Sequence, residues 1–92
     1  MEFEHKKFGK CVLKEITQKQ LEAFSADMKG LDMEPLTVWH GAGVRSFIRH
    51  SILVEPVMAV VDVDNAKPAL VRWLSNCISK AVAEATNIDP LS

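Results

Sequence analysis

The chain has 92 residues, of which 48% are hydrophobic and 25% are charged, and its formal net charge is −1. These values are typical of one folded globular domain, so we expect a single domain over residues 1–92. A near-neutral chain lacks the basic field that binds nucleic acid or anionic membranes, which argues against both as partners. A chain this short buries a limited core, which favours protein partners and a homo-oligomer.

The N-terminal segment and the two cysteines bear on cellular location. No apolar run follows the lysines of residues 1–7, and the apolar segment 57–61 is far shorter than the roughly 20 residues that span a bilayer. Cys11 and Cys77 form neither a CxxC motif nor a metal knuckle, and we interpret them as small, buried, reduced side chains. The sequence therefore predicts a cytoplasmic protein.

The first 16 residues have the pattern of a β-hairpin. Phe3, His5 and Lys7 alternate with charged residues over positions 2–7. A turn follows at Gly9 and Lys10, and a second alternating segment covers residues 11–16. Phe3 and Phe8 fall on opposite faces of this pattern, so we expect a bulge near Gly9 that brings both inward.

A helix is predicted after the hairpin. Thr17 and Gln20 have the spacing of a capping box, and Gly30 is a stop signal. The predicted apolar stripe of this helix consists of Leu21, Phe24 and Met28.

A second helix is predicted from about Val38 to Ile52 or Leu53, with Thr37 as its N-cap. Its inner face would consist of Val44, Phe47, Ile48 and Ile52. Gly41 and Gly43 each cost about 1 kcal/mol relative to alanine in a helix. They therefore either fray the first turns or permit a close helix crossing.

The last third of the chain predicts a long amphipathic helix. Residues 57–63 form either a short strand or a buried turn of helix, and Asp64 and Asn65 then cap a helix over residues 66–86. Residues 87–92 are expected to form an extended arm. The predicted fold class is α+β, with an N-terminal β-hairpin packed against three helices, and a mostly α fold is the alternative.

No metal or cofactor site is indicated by the motifs. Asp62 and Asp64 open like a calcium loop, but the sixth and twelfth positions hold Lys67 and Trp73 instead of glycine and glutamate. We interpret the two aspartates as helix-capping residues. No phosphate-binding or dinucleotide fingerprint occurs, so we predict no cofactor.

We also predict that the protein is not an enzyme. His5, His40 and His50 are scattered and lack ligand spacing, and the predicted burial of Cys77 would make its thiol unreactive. An enzyme remains an alternative only if His40, His50 and Glu55 converge in a pocket.

Trp39 and Trp73 are the candidate partner-binding residues, because tryptophan is enriched at interface hot spots. The alternative for each is an ordinary core residue. The charged groups are either solvated or dock one subunit on another. The basic group is Lys6, Lys7, Lys10 and Lys14, and the acidic group is Glu55, Asp62 and Asp64.

Two segments carry a resemblance to a known family. Residues 8–24 read FGKCVLKEITQKQLEAF, a hairpin strand that leads into a capped helix, and residues 61–74 read VDVDNAKPALVRWL at the start of the closing helix. In this layout the chain resembles the small tail assembly chaperones of long-tailed bacteriophages.

The resemblance implies a protein of the host bacterial cytoplasm that binds the tape measure protein, self-associates and recruits tail tube subunits. It carries no residue-specific role. A small structural virion component, such as a connector or baseplate protein, and another protein-binding adaptor are the alternatives.

Overall fold

The computed structural model describes residues 1–87 and confirms an α+β, mostly helical fold. One antiparallel sheet has the strand order β1-β2-β3. The strands are β1 (Glu2–His5), β2 (Gly9–Leu13) and β3 (Leu53–Glu55). The helices are α1 (Gln18–Met28), α2 (Leu36–Arg49), α3 (Val60–Asn65) and α4 (Pro68–Thr86). The arm predicted beyond Asn87 lies outside the described residues.

The N-terminal hairpin is confirmed, but the bulge near Gly9 is wrong. β1 and β2 pair in unbroken register, with Phe3 opposite Cys11. Gly9 begins β2 at a φ of 86°, a left-handed conformation that glycine adopts without strain. Phe8 lies in the turn and is half-buried, as Phe3 is. Both rings are therefore partly buried without a bulge in the hairpin.

Helix α1 begins and ends where the sequence predicts. The Thr17 side chain accepts a hydrogen bond from the Gln20 amide at 3.2 Å, and the Gln20 side chain accepts one from the Thr17 amide at 3.1 Å. This reciprocal capping box satisfies two amides that have no partner within the helix. The helix ends at Met28, and Gly30 follows it at a φ of 86°.

Helix α2 begins earlier than predicted, at Leu36. Pro35 precedes the first turn, and Thr37 lies inside the helix instead of capping it, so that part of the prediction is wrong. Gly41 and Gly43 are helical and buried, which excludes frayed first turns as their explanation.

Helix α2 also ends earlier than predicted, at Arg49 instead of at Ile52 or one residue later. Ser51 adopts a left-handed φ of 59°, and its amide donates to the carbonyl oxygen of Ile48 at 3.1 Å. The amide of Ile52 donates to the carbonyl oxygen of Phe47 at 2.9 Å. This pair of bonds is a Schellman motif, which ends the helix. The chain then continues as β3, a strand that the sequence did not predict.

The prediction of a strand over residues 57–63 is wrong, and the alternative prediction of a buried turn of helix is nearer to the structure. This region forms the short helix α3, in which Val63 is buried. The Asp62 carboxylate caps it by accepting a hydrogen bond from the Ala59 amide at 2.7 Å. Asp64 lies inside α3 and therefore does not cap α4, which begins at Pro68.

Helix α4 supplies much of the single core. It packs most extensively on α2, and its buried residues are Val71, Leu74, Cys77, Ile78 and Ala81. The core side chains are Cys11, Leu13, Val44, Phe47, Ile52, Val63, Val71, Leu74, Cys77, Ile78 and Ala81. Among residues 1–87, no helix has both the length and the apolar character needed to cross a membrane.

Candidate functional site

An open groove of about 540 Å³ lies where α1, α2 and α4 meet. Its volume falls within the range of roughly 300–1,000 Å³ that is usual for ligand-binding clefts. The lining residues are Phe24, Ser25, Met28, Lys29, Leu36, Trp39, His40, Gly43, Ser75, Asn76, Ile78 and Ser79. Most of the surface exposed in it is apolar, which suits a partner with an apolar side.

One face of α2 forms the floor of the groove. Leu36, Trp39, His40 and Gly43 have the spacing i, i+3, i+4 and i+7, so they lie along one side of the helix. Gly43 contributes no side chain, and a Cβ placed there would lie 3.9 Å from Cε1 of Phe24. The depth of the groove beside Phe24 therefore depends on Gly43.

Each of the two walls of the groove combines apolar and polar side chains. The wall from α1 has the apolar residues Phe24 and Met28 beside Ser25 and Lys29. The wall from α4 has the apolar residue Ile78 beside Ser75, Asn76 and Ser79. This mixed lining fits a partner that has both an apolar stripe and polar side chains beside it.

Two apolar side chains near the start of α2 are exposed. Leu36 is 72% exposed, and Met33, in the loop between α1 and α2, is 97% exposed. Trp39 lies about one helical turn after Leu36 on the floor of the groove and is only half-buried. A groove whose apolar lining includes an exposed residue such as Leu36 is typical of a surface that binds another protein.

The second tryptophan occupies a different place. The ring of Trp73 lies 5.7 Å from the ring of Phe8 and 5.5 Å from that of His5, measured between centroids. These contacts attach the tip of the hairpin to α4. The structure therefore does not bring Trp73 together with Trp39, and packing accounts for the position of Trp73.

Asp27 forms a polar cluster that sequence reasoning missed. Its Oδ2 atom accepts from Ser46 Oγ at 2.7 Å and from Arg49 Nη1 at 3.0 Å, and lies 2.9 Å from His50 Nε2. The pKa of Asp27 is lowered, chiefly by the Ser46 hydrogen bond and further by His50 and Arg49. The Gln20 side chain also donates to the His50 carbonyl at 3.2 Å. Together these bonds fasten α1 to the end of α2.

The Asp27 cluster contains a serine, a histidine and an aspartate, but its arrangement is not that of a catalytic triad. In a triad the imidazole stands between the hydroxyl and the carboxylate. Here the carboxylate oxygen stands between Ser46 and His50, and Ser46 is completely buried. The arrangement can hold two helices together, and it leaves no activated hydroxyl facing a substrate.

An enzyme would require His40, His50 and Glu55 to meet in one pocket, and within residues 1–87 they do not. His40 lines the groove, His50 contacts Asp27, and Glu55 lies exposed on β3. These three side chains do not share any of the described pockets. No cluster of potential metal ligands occurs among residues 1–87 either.

The acidic group has local partners. Asp64 forms an ion pair with Arg45, which ties α3 to α2, and Asp62 caps α3. Gly41 makes room for the Arg45 side chain, because a Cβ at Gly41 would lie 3.0 Å from Nη1 of Arg45. Two of the three acidic side chains considered for subunit docking thus act within the chain.

The two cysteines are buried, as predicted, but they are also neighbours, which their separation in sequence concealed. Burial raises the pKa of the Cys11 thiol to about 12, and the nearby Cys77 adds to this effect. Burial likewise raises the pKa of Cys77. Both thiols are free, and both are suited to packing rather than to nucleophilic chemistry.

Comparisons with protein-family models, curated proteins and solved structures find no match to this chain. The resemblance to tail assembly chaperones therefore stays a prediction. The sequence indicates Trp39 as a candidate binding residue but does not predict the groove, and Leu36 lies outside the helix predicted from about Val38. With α2 beginning at Leu36, the spacing of its groove-facing residues is readable from the sequence.

Proposed function

We propose that this protein is a binding protein that holds an amphipathic helix of a client protein in the groove between α1, α2 and α4. The observation that carries this proposal is the open, largely apolar groove with Trp39 on its floor. Helix-in-groove recognition uses such a surface, because apolar side chains on one face of the client replace the water in the groove. Trp39 offers the large contact area that is common at binding hot spots.

The layout of the sequence directs this proposal towards tail assembly. By its resemblance to the tail assembly chaperones, the client would be the tape measure protein, and tail tube subunits would be recruited to the complex. A tape measure protein rich in coiled coil would offer apolar helical stripes of the kind that the groove accepts.

Co-expression tests the proposal. The chain is produced with a fragment of the tape measure protein, and the soluble fraction is separated by size-exclusion chromatography. We expect a soluble complex with the unaltered chain and its loss with Trp39→Ala or Gly43→Leu, which remove the hot spot or fill the groove. Trp73→Phe is the matched control and retains the complex. An insoluble, unbound fragment in the presence of the unaltered chain would contradict the proposal.

Gene order offers an independent test of the tail-assembly part. We expect a reading frame for a very long, coiled-coil-rich protein to follow this one. Mass spectrometry of purified virions distinguishes a chaperone, which would be missing from them, from a structural component. Detection of the chain at the level of other virion proteins would contradict a chaperone role.

A further inference from the structure

The polar side chains that line the groove share one chemical property. Ser25, Ser75 and Ser79 carry hydroxyls, Asn76 carries an amide, and Lys29 and His40 carry nitrogen groups. Each of these groups can donate a hydrogen bond, and Lys29 brings a full positive charge. The part of the lining formed by residues 1–87 contains no carboxylate.

Lys29 is also available for a partner. It is exposed at the C-terminal end of α1, and its side chain forms no ion pair within residues 1–87. Arg45 and Arg49, by contrast, already pair with Asp64 and Asp27. The lysine therefore differs from these arginines of α2 in having an unneutralised charge at the groove.

We propose that the groove selects helices whose apolar stripe is bordered by glutamate or aspartate, with Lys29 as the residue that recognises the acidic border. This inference rests on the proposed helix-binding function. The apolar stripe faces Phe24, Met28 and Trp39, and the acidic border faces Lys29 and the donors of the groove. Charge complementarity of this kind contributes to specificity and to orientation more than to total affinity.

The loop between α1 and α2 carries acidic side chains, which would favour a helix with a basic border. Asp32 and Glu34 are exposed there, on either side of Met33 and outside the groove lining. If these carboxylates dominated, a helix with a basic border would be preferred. The two possibilities therefore predict opposite orders of affinity, which one set of peptides can measure.

The test uses three synthetic helical peptides of about 18 residues, long enough for roughly 27 Å of helix. All three carry the same leucine stripe, and the border residues are glutamate, glutamine or lysine. Isothermal titration calorimetry with the full chain measures each Kd at low and high salt. We expect the glutamate peptide to bind with a Kd about three times lower than the glutamine peptide, and this advantage to shrink at high salt.

Substitutions identify the recognising residue. Lys29→Gln is expected to lower the ratio of the glutamine-peptide Kd to the glutamate-peptide Kd from about three to about one. Lys19→Gln is the matched control, since Lys19 is an exposed lysine of α1 outside the groove lining. Equal Kd values for the three peptides, a preference for lysine, or a glutamate preference that survives Lys29→Gln would overturn the inference and leave helix binding intact. Binding of none of the peptides would overturn the inference and the helix-binding function together.

Discussion

The Ser46 hydroxyl donates to Asp27 Oδ2 over 2.7 Å and joins the last turn of α2 to α1 at a position where Ser46 has no exposed surface. A buried hydroxyl without a partner is costly, so this bond fixes how the two helices lie against each other. Because α1 and α2 form one wall and the floor of the groove, the bond also contributes to the groove's shape.

Removal of the Asp27 carboxylate is expected to destabilise the fold. Asp27→Ala leaves the buried Ser46 hydroxyl without its acceptor, which costs about 1–3 kcal/mol in the free energy of unfolding. Urea denaturation measures this change. Ser46→Ala combined with Asp27→Ala is expected to cost less than the sum of the single changes. Arg49→Ala is the comparison, because its exposed ion pair is worth less than about 1 kcal/mol. Equal costs for Asp27→Ala and Arg49→Ala would refute this assignment.

The Asp27 cluster also predicts how stability responds to acid. The pKa of Asp27 is lowered in the folded chain, chiefly by the Ser46 hydrogen bond. Its contribution to stability is therefore complete above its unfolded pKa of about 3.9 and is lost as the pH falls through the lower folded pKa. Denaturation at a series of pH values from neutral to strongly acidic should show a smaller loss for Asp27→Asn than for the unaltered chain. Parallel pH profiles for the two proteins would exclude Asp27 as a contributor.

The two glycines of α2 are expected to respond differently to alanine. Gly43→Ala should raise the free energy of unfolding by up to about 1 kcal/mol, because helix propensity improves and the new Cβ lies 3.9 Å from Phe24. Gly41→Ala should gain less, since its Cβ would lie 3.0 Å from the Arg45 guanidinium and displace it. Thermal denaturation of both variants provides the comparison. A Gly43→Ala protein that is less stable than the unaltered chain would disagree with the packing described at this position.

The two thiols are expected to resist modification while the chain is folded. With a pKa of about 12, only about one Cys11 thiol in ten thousand is ionised at pH 8. A thiol reagent such as dithionitrobenzoate should therefore react quickly with the chain in denaturant and slowly with the folded chain. Equal rates in the two conditions would show that the cysteines are accessible.

The two tryptophans should separate stability from binding. Trp73→Ala removes the stacking that attaches the hairpin tip to α4 and should cost about 2 kcal/mol of stability, since Trp73 is only half-buried. Helix binding by the folded fraction should persist. Trp39→Ala should instead abolish binding with a smaller loss of stability. The melting temperature and the Kd of the leucine-stripe peptide, measured for both variants, check this division, and a reversed pattern would contradict it.

Local signals in the sequence predicted the features that depend on neighbouring residues. The capping box of Thr17 and Gln20 specifies the start of α1 without help from the rest of the chain, and the alternation in residues 2–16 specifies the hairpin. The apolar face of α4 is equally readable, because it repeats over nineteen residues.

The remaining features depend on contacts between distant residues. The end of α2 rests on Ser51 in a left-handed conformation, which is uncommon for serine and has no clear sequence signal. β3 forms by pairing with the free edge of β2, which lies about 40 residues earlier in the chain. The contact between Cys11 and Cys77 likewise arises only when β2 packs on α4. The groove was missed as a whole because its walls come from three helices, and the sequence alone does not show which of their faces meet.

The indole N–H signals in an NMR spectrum test the central claim most directly. The chain has two tryptophans, so the spectrum contains one such signal from Trp39 in the groove and one from Trp73 beneath the hairpin. Trp39→Phe and Trp73→Phe variants assign the two signals. On addition of the leucine-stripe helical peptide, we expect the Trp39 signal to shift in a saturable manner while the Trp73 signal stays in place. A shift confined to Trp73, or no shift of either signal at saturating peptide, would contradict binding in the groove.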